Sequence, residues 1–130
     1  MISHVHLGVR DFPRALAFYD PLLVRLGWRL RFVDAALPRA AWQPPSSGRP
    51  LFVIGVPYDG RPATPGNGDM VALLAPDRAA VADFHAAALA AGAACEGPPG
   101  LRPQYHPHFF GAYVRDPDGH KLCVCCHDPA

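Results

Sequence analysis

The sequence contains no apolar run long enough to span a bilayer, so no helical membrane anchor is expected within it. It is nearly without lysine: Lys121 is the only one, and the other basic residues are arginines. It has no excess of either charge. Twelve basic residues stand against eleven acidic ones, a formal net charge of +1. That balance gives no electrostatic footprint for nucleic acid or an anionic membrane surface, and neither partner is expected. The opening Met1-Ile2-Ser3-His4 lacks a basic stretch followed by an apolar run, so no secretion signal is expected. Cysteine is sparse and poorly spaced for stapling loops: Cys123, Cys125 and Cys126 crowd one segment, and Cys95 is alone. A reduced, cytoplasmic chain is the simpler reading. What remains is ordinary for a globular protein, with 50% hydrophobic and 18% charged residues in a length that suits one domain, 1–130. The abundance of Ala, Arg and Pro looks like coding bias and carries no functional meaning here.

The chain says nearly the same thing twice. His4 to Asp11 is followed by Phe18, and Met70 to Asp77 by Phe84; the offsets 70−4, 77−11 and 84−18 all equal 66. A repeated strand-then-helix unit implies two similar modules in one small domain, here 1–56 and 69–130 joined by a Pro/Gly-rich loop, 57–68.

Ile2 to Val9 alternates His4, His6 and Gly8 with Val5, Leu7 and Val9, the period-two pattern of a strand with two different faces. Asp11 is placed to cap a helix carrying Leu16, Tyr19, Leu23 and Leu26, with Gly27 as its stop; Pro21 predicts a distortion inside it. Strands are expected at 28–33, 40–42 and 51–56. In the second copy a strand, 70–74, precedes a helix capped by Asp77, whose apolar stripe is Val81, Phe84, Ala88 and Leu89 and which ends at Gly92. A short strand near 93–95 and an irregular, proline-rich stretch, 96–107, come next. Strands 109–115 and 121–126 are then joined by the turn Asp116-Pro117-Asp118-Gly119. Gly66-Asn67-Gly68 precedes a strand, so it reads as a turn and lacks the helix N-terminus of a phosphate cradle. The order is βαβββ twice.

The opening His4-Val5-His6-Leu7-Gly8-Val9-Arg10-Asp11, the Phe18-Tyr19 pair, Leu26-Gly27 and the Asp116-Pro117-Asp118-Gly119 turn with its following strand resemble the vicinal oxygen chelate superfamily. That superfamily includes glyoxalases, bleomycin-resistance proteins and extradiol dioxygenases. The resemblance implies an α+β fold of two βαβββ modules forming a cupped, glyoxalase-like mixed sheet that encloses a cavity. It also implies a homodimer. Metal-using relatives place ligands on strands facing the cup. Their first ligand position corresponds to His4; the matching position in the second module is Met70, the usual carboxylate position is Cys123, and the 51–56 strand offers no ligand side chain. A hard divalent metal needs imidazole and carboxylate donors, so of that set only His4 remains, and no cofactor is expected. The leading expectation is a protein that binds a small, partly apolar ligand without the usual metal. The alternative is a lyase, isomerase or dioxygenase-like enzyme using His4 with a displaced divalent metal (Zn, Ni, Fe or Mn) or a cysteine.

Several constellations carry two readings each. His4 and His6 share a strand face; they either form a polar wall that orients a ligand or moves a proton, or a hydrogen-bonded pair in a half-polar cavity. Met70, Cys123 and His4 are the donors of a soft Cu(I) or Zn site on paper, though Met and Cys filling volume is the better reading. Cys123, Cys125, Cys126 and His127 have metal-like spacing, but strand alternation sends Cys126 to the opposite face from Cys123 and Cys125. Either Cys123 or Cys125 becomes a candidate nucleophile if an imidazole lowers its pKa, with His4 as the partner that the resemblance implies. Tyr105-His106-Pro107-His108 with Phe109 and Phe110 forms a dense polar and aromatic segment beside the expected cavity mouth, suited to recognising an apolar or aromatic ligand. The candidate ligand-binding set is therefore His4, His6, Met70, Tyr105, His106, His108, Cys123 and Cys125.

Overall fold

The structure, a computed structural model, describes residues 1–130. The chain divides into two compact units, Met1–Pro65 and Gly66–Ala130. In unit 1 the order is β1 (His4–Gly8), α1 (Phe12–Arg25), β2 (Arg29–Asp34), β3 (Arg39–Gln43) and β4 (Leu51–Gly55). Unit 2 repeats it as β5 (Met70–Leu74), α2 (Arg78–Ala90), β6 (Ala94–Leu101), β7 (Phe110–Arg115) and β8 (Lys121–Cys126). The strands form two four-stranded sheets, ordered β1-β4-β3-β2 and β5-β8-β7-β6. In each, the first strand pairs parallel with the last and the other pairings are antiparallel. The architecture is α+β, two βαβββ modules.

The 66-residue offset survives in detail. β1 and β5 begin at His4 and Met70, and the caps Asp11 and Asp77 precede the two helices. Asp11 accepts a bond from the Arg14 backbone N–H at 3.1 Å, and Asp77 from that of Ala80 at 2.8 Å. Gly27 and Gly92 end the helices with φ of 84° and 106°, a conformation that costs a residue with a Cβ.

Three expectations need correction. α1 runs unbroken through Pro21, where a distortion was expected. Pro21 is exposed, and the carbonyl that loses its amide partner belongs to Ala17, also exposed, so water can satisfy it. The proline-rich stretch after Cys95 is a strand: β6 runs through Pro98 and Pro99 to Leu101. It is an edge strand with register shifts between Cys95 and Gly97 and between Gly97 and Gly100. An edge with bulges is where missing donors do least harm. The buried stripes also shift by a position. In α1 they comprise Ala15, Phe18, Tyr19, Leu22 and Leu23, with Leu16 only half-buried. In α2 they comprise Val81, Phe84, His85 and Ala88, while Leu89 faces solvent.

In unit 1 the helix covers one face of the sheet. Tyr19 lies 5.2 Å from Phe52 and 6.4 Å from Trp42, ring centre to ring centre. The buried Trp42 indole donates to Asp20 Oδ1 at 2.9 Å, which satisfies its only polar atom. In unit 2, α2 packs on β6, β7 and β8, and its His85 reaches Cys95 Sγ at 3.3 Å. The opposite face of each sheet carries the candidate residues.

Candidate functional site

Alternation along β1 sends Val5 and Leu7 to one face and His4, His6 and Gly8 to the other. The parallel register sets His4 beside Leu51, His6 beside Val53 and Gly8 beside Gly55. Leu51, Val53 and Ala41 form a buried apolar floor. Above it lies a groove of about 880 Å³, within the usual range for small-molecule sites. Its walls are His4, His6 and Gly8 from β1, Phe32 from β2, Leu37, Pro38 and Arg39 at the β2–β3 turn, and Val56, Pro57 and Tyr58 after β4.

Two glycines shape the groove. A Cβ at Gly55 would lie 3.0 Å from Arg39 Cβ, 3.1 Å from His6 Nε2 and 3.2 Å from the Pro38 carbonyl oxygen. A side chain at this position would therefore crowd the imidazole and the arginine that share that end of the groove. A Cβ at Gly8 would meet Ala63 Cβ at 3.1 Å and the Pro57 ring at 3.3 Å, so the segment after β4 folds down onto β1 there. Arg10 helps hold this segment, its Nε donating to the Ala63 carbonyl at 2.6 Å.

The electrostatics of the groove are mixed. Arg39 stacks over the Phe32 ring at 5.9 Å and stands 3.8 Å from the Asp34 carboxylate. Asp34 also accepts from the Ala36 and Leu37 backbone N–H groups, which fixes the turn carrying Leu37 and Pro38. Burial first, then the neighbouring His4 and Arg39, holds His6 below the ordinary imidazole value. His6 is therefore neutral at neutral pH and serves as both donor and acceptor. His4 Nδ1 lies 3.0 Å from Ser3 Oγ. Chemically, this is an apolar trough with two imidazoles along one wall and a guanidinium at one end.

The remaining sequence-selected residues lie in unit 2. Register places Ala72, Cys123 and Tyr113 side by side, and Leu74, Cys125 and Gly111 likewise. Met70 begins β5 and is half-exposed. Cys123 and Cys125 share a face, whereas the buried Cys126 lies on the alternate face. Cys125 Sγ meets His127 Nε2 at 3.8 Å, and His127 Nδ1 meets His106 Nε2 at 2.9 Å. Within unit 2, the imidazole beside Cys125 is His127. His108 contributes its backbone N–H, which donates to His106 Nδ1 at 3.1 Å. Tyr105 packs against Phe109, 5.1 Å between ring centres. Hydrogen bonding to Cys123 and the adjacent His127 lower the Cys125 thiol to about 6, while the same contact and burial push Cys123 up. Burial first, with Cys123 beside it, raises the Tyr113 hydroxyl to about 12.

Sequence reasoning missed Phe32, Leu37, Arg39 and Tyr58 in the groove, and the partner roles of Tyr113 and His127. Period-two alternation in β7, matched to β8, was the signal available for Tyr113. Nothing local marks Arg39, because its place depends on the turn and on Gly55.

The donors present do not fit a hard divalent ion. The inward side chains of β4 are Leu51 and Val53, and Cys123 is held as a thiol. Glu96, the only glutamate, is engaged by Arg115 at 2.6 Å. No group of three His, Cys, Asp or Glu residues is arranged to hold a metal ion.

Comparison with known proteins places these features in context. The family model described as Glyoxalase/Bleomycin resistance protein/Dioxygenase superfamily matches residues 1–124. Among solved structures, the chain resembles a glyoxalase/bleomycin resistance protein from Albidiferax ferrireducens T118, with 38% identity, 99% of each chain covered and a TM-score of 0.83. It also shares its fold with a glyoxalase-related enzyme from Fulvimarina pelagi, with 23% identity, 96% and 86% coverage and a TM-score of 0.71. TioX from Micromonospora sp. ML1 shares the fold too, with 24% identity, 98% and 99% coverage and a TM-score of 0.65. No curated protein matches.

Proposed function

Since the chain belongs to the glyoxalase/bleomycin resistance protein/dioxygenase superfamily, we propose that it binds one small, partly apolar molecule in the unit 1 groove without a divalent metal. The observation that carries this reading is the groove itself: an apolar floor, Phe32 and Tyr58 as aromatic walls, and His4, His6 and Arg39 as the few converging polar groups. Apolar burial supplies affinity, and the polar groups orient one polar end of the ligand. An aromatic ring bearing an acidic group suits the pairing of Phe32 with Arg39. On the unit 2 sheet face, Met70, Tyr105, His106, His108, Cys123 and Cys125 are the proposed recognition set. A reduced cytoplasmic setting and a homodimer complete the proposal; all four cysteines are free thiols.

Anilinonaphthalene sulfonate, an aromatic anion, is a suitable probe. Saturable fluorescence enhancement at one site per chain is expected, weakened about tenfold by Phe32→Ala or Arg39→Gln. Probe binding indifferent to both substitutions would overturn the groove assignment. Elemental analysis of freshly purified protein tests the other half. Stoichiometric Ni, Zn, Fe or Mn that disappears in His4→Ala would replace this reading with the metal-dependent enzyme.

A further inference from the structure

We propose that Cys125 is a nucleophilic thiolate held by a two-histidine relay, and that it captures small planar α,β-unsaturated carbonyl compounds as covalent thioethers. The site lies wholly in unit 2 and does not depend on the groove of unit 1.

The hydrogen bonds fix the direction of the relay. The His108 backbone N–H donates to His106 Nδ1, so Nδ1 carries no proton and Nε2 does. His106 Nε2–H then donates to His127 Nδ1 at 2.9 Å. His127 must in turn hold its proton on Nε2, which points at Cys125 Sγ at 3.8 Å. Each imidazole is locked into one tautomer by the donor before it, and the chain ends with an N–H aimed at sulfur. Cys123 lies on the same strand face, two residues along, and its neighbours are Ala72 and Tyr113. A donor aimed at a thiol favours its ionised form, and Cys123 together with His127 lowers the Cys125 thiol below its ordinary value.

The other neighbours are electrically quiet. β5 and β7 present Leu74 and Gly111 at the Cys125 register, and neither titrates. Tyr113 and Arg102 act on Cys123, two residues away, and the carboxylates of Asp128 and Asp77 act on Cys126 of the opposite face. The thiolate is only 4% exposed. Its cover is the aromatic cluster before β7: a Cβ at Gly111 would meet Phe109 Cε1 at 2.8 Å and Cys125 Cβ at 3.5 Å. Phe109 also contacts His127, His106 and Tyr105. A flat, unsaturated compound entering there finds ring faces beside a soft nucleophile, and its entry displaces a surface segment and leaves the core alone. In the reaction the sulfur forms a bond to the β-carbon. The C=C π pair moves to the carbonyl as an enolate, and the α-carbon then takes a proton from water. The net change is addition of S–H across the double bond, with no oxidant or reductant.

N-Ethylmaleimide, itself such a compound, provides the test. At a pH near 6.5 and limiting reagent, peptide mapping by mass spectrometry reads each cysteine separately, with exposed Cys95 as internal reference. Cys125 is expected to react about tenfold faster than Cys95, and His127→Gln to remove that advantage while leaving the Cys95 rate unchanged. His127 is exposed, so this substitution leaves the fold intact, as circular dichroism will verify. His106→Ala is expected to act in the same direction through the tautomer of His127. Preferential labelling of Cys95, an unmodified Cys125, or a Cys125 rate indifferent to His127→Gln would each overturn the proposal.

Discussion

His85 shows how burial changes a single residue's role. It sits inside the buried stripe of α2 at 8% exposure with Cys95 Sγ as its side-chain partner, and burial lowers its pKa. In the unfolded chain it titrates near its ordinary value, about 6.5. Between the folded and unfolded values the unfolded state binds the extra proton. The stability contribution of neutral His85 is therefore full above about 6.5 and is lost as pH falls through the folded value. His6 has a lowered pKa as well and contributes with the same sign. We expect Tm to fall between about pH 7.5 and about pH 5, and His85→Leu to shrink that fall, by scanning calorimetry at both values. An undiminished fall would assign the acid sensitivity elsewhere. Trp42 and Asp20 illustrate the complementary case, where a buried donor is matched and imposes no such cost.

At the level of elements, β4 is the strand on which the groove depends. It is buried along its whole length and lies between β1 and β3, so its face toward the groove sets the floor. Gly55 at its end is the point of closest approach. Gly55→Val would push into the Pro38 carbonyl, which is backbone and cannot yield easily, and would drive His6 and Arg39 apart. The expected cost in stability is roughly 1–3 kcal/mol, as for overpacking elsewhere. Chemical denaturation measures that cost, and probe titration is expected to show a loss of affinity of about tenfold or more. Unchanged affinity in a folded Gly55→Val protein would move the binding site away from this end. β6 makes the opposite point. Its prolines looked incompatible with a strand, and only its position at a sheet edge makes them tolerable.

For the whole molecule, assembly turns on β5. β5 is an edge strand, and it leaves Met70 and Leu74 at 45% and 66% exposure. An apolar edge of this kind is a ready surface for a second copy. Light scattering coupled to size exclusion is expected to give about twice the 14.0 kDa chain mass. Leu74→Lys is expected to shift the mass toward the single chain, because a charge on an edge strand opposes pairing. A single-chain mass for the unmodified protein would remove the homodimer from the proposed function.

Much of the fold was determined by sequence alone. The constant offset of 66, the two aspartate caps and the glycine stops state local chemistry: a carboxylate bonding exposed amides, a backbone needing positive φ. Such features act within a few residues, so they can be read without coordinates. The facing of His4 with His6, and of Cys123 with Cys125, was equally legible, because strand alternation is local. The tertiary structure alone decided what those faces meet. Arg39 joins His6 because Gly55 lies between them on another strand, and Cys125 meets His127 and His106 because the segment before β7 folds back over β8. Partners of that kind are set by register and by which strand lies at an edge, and those depend on packing among residues far apart in the chain.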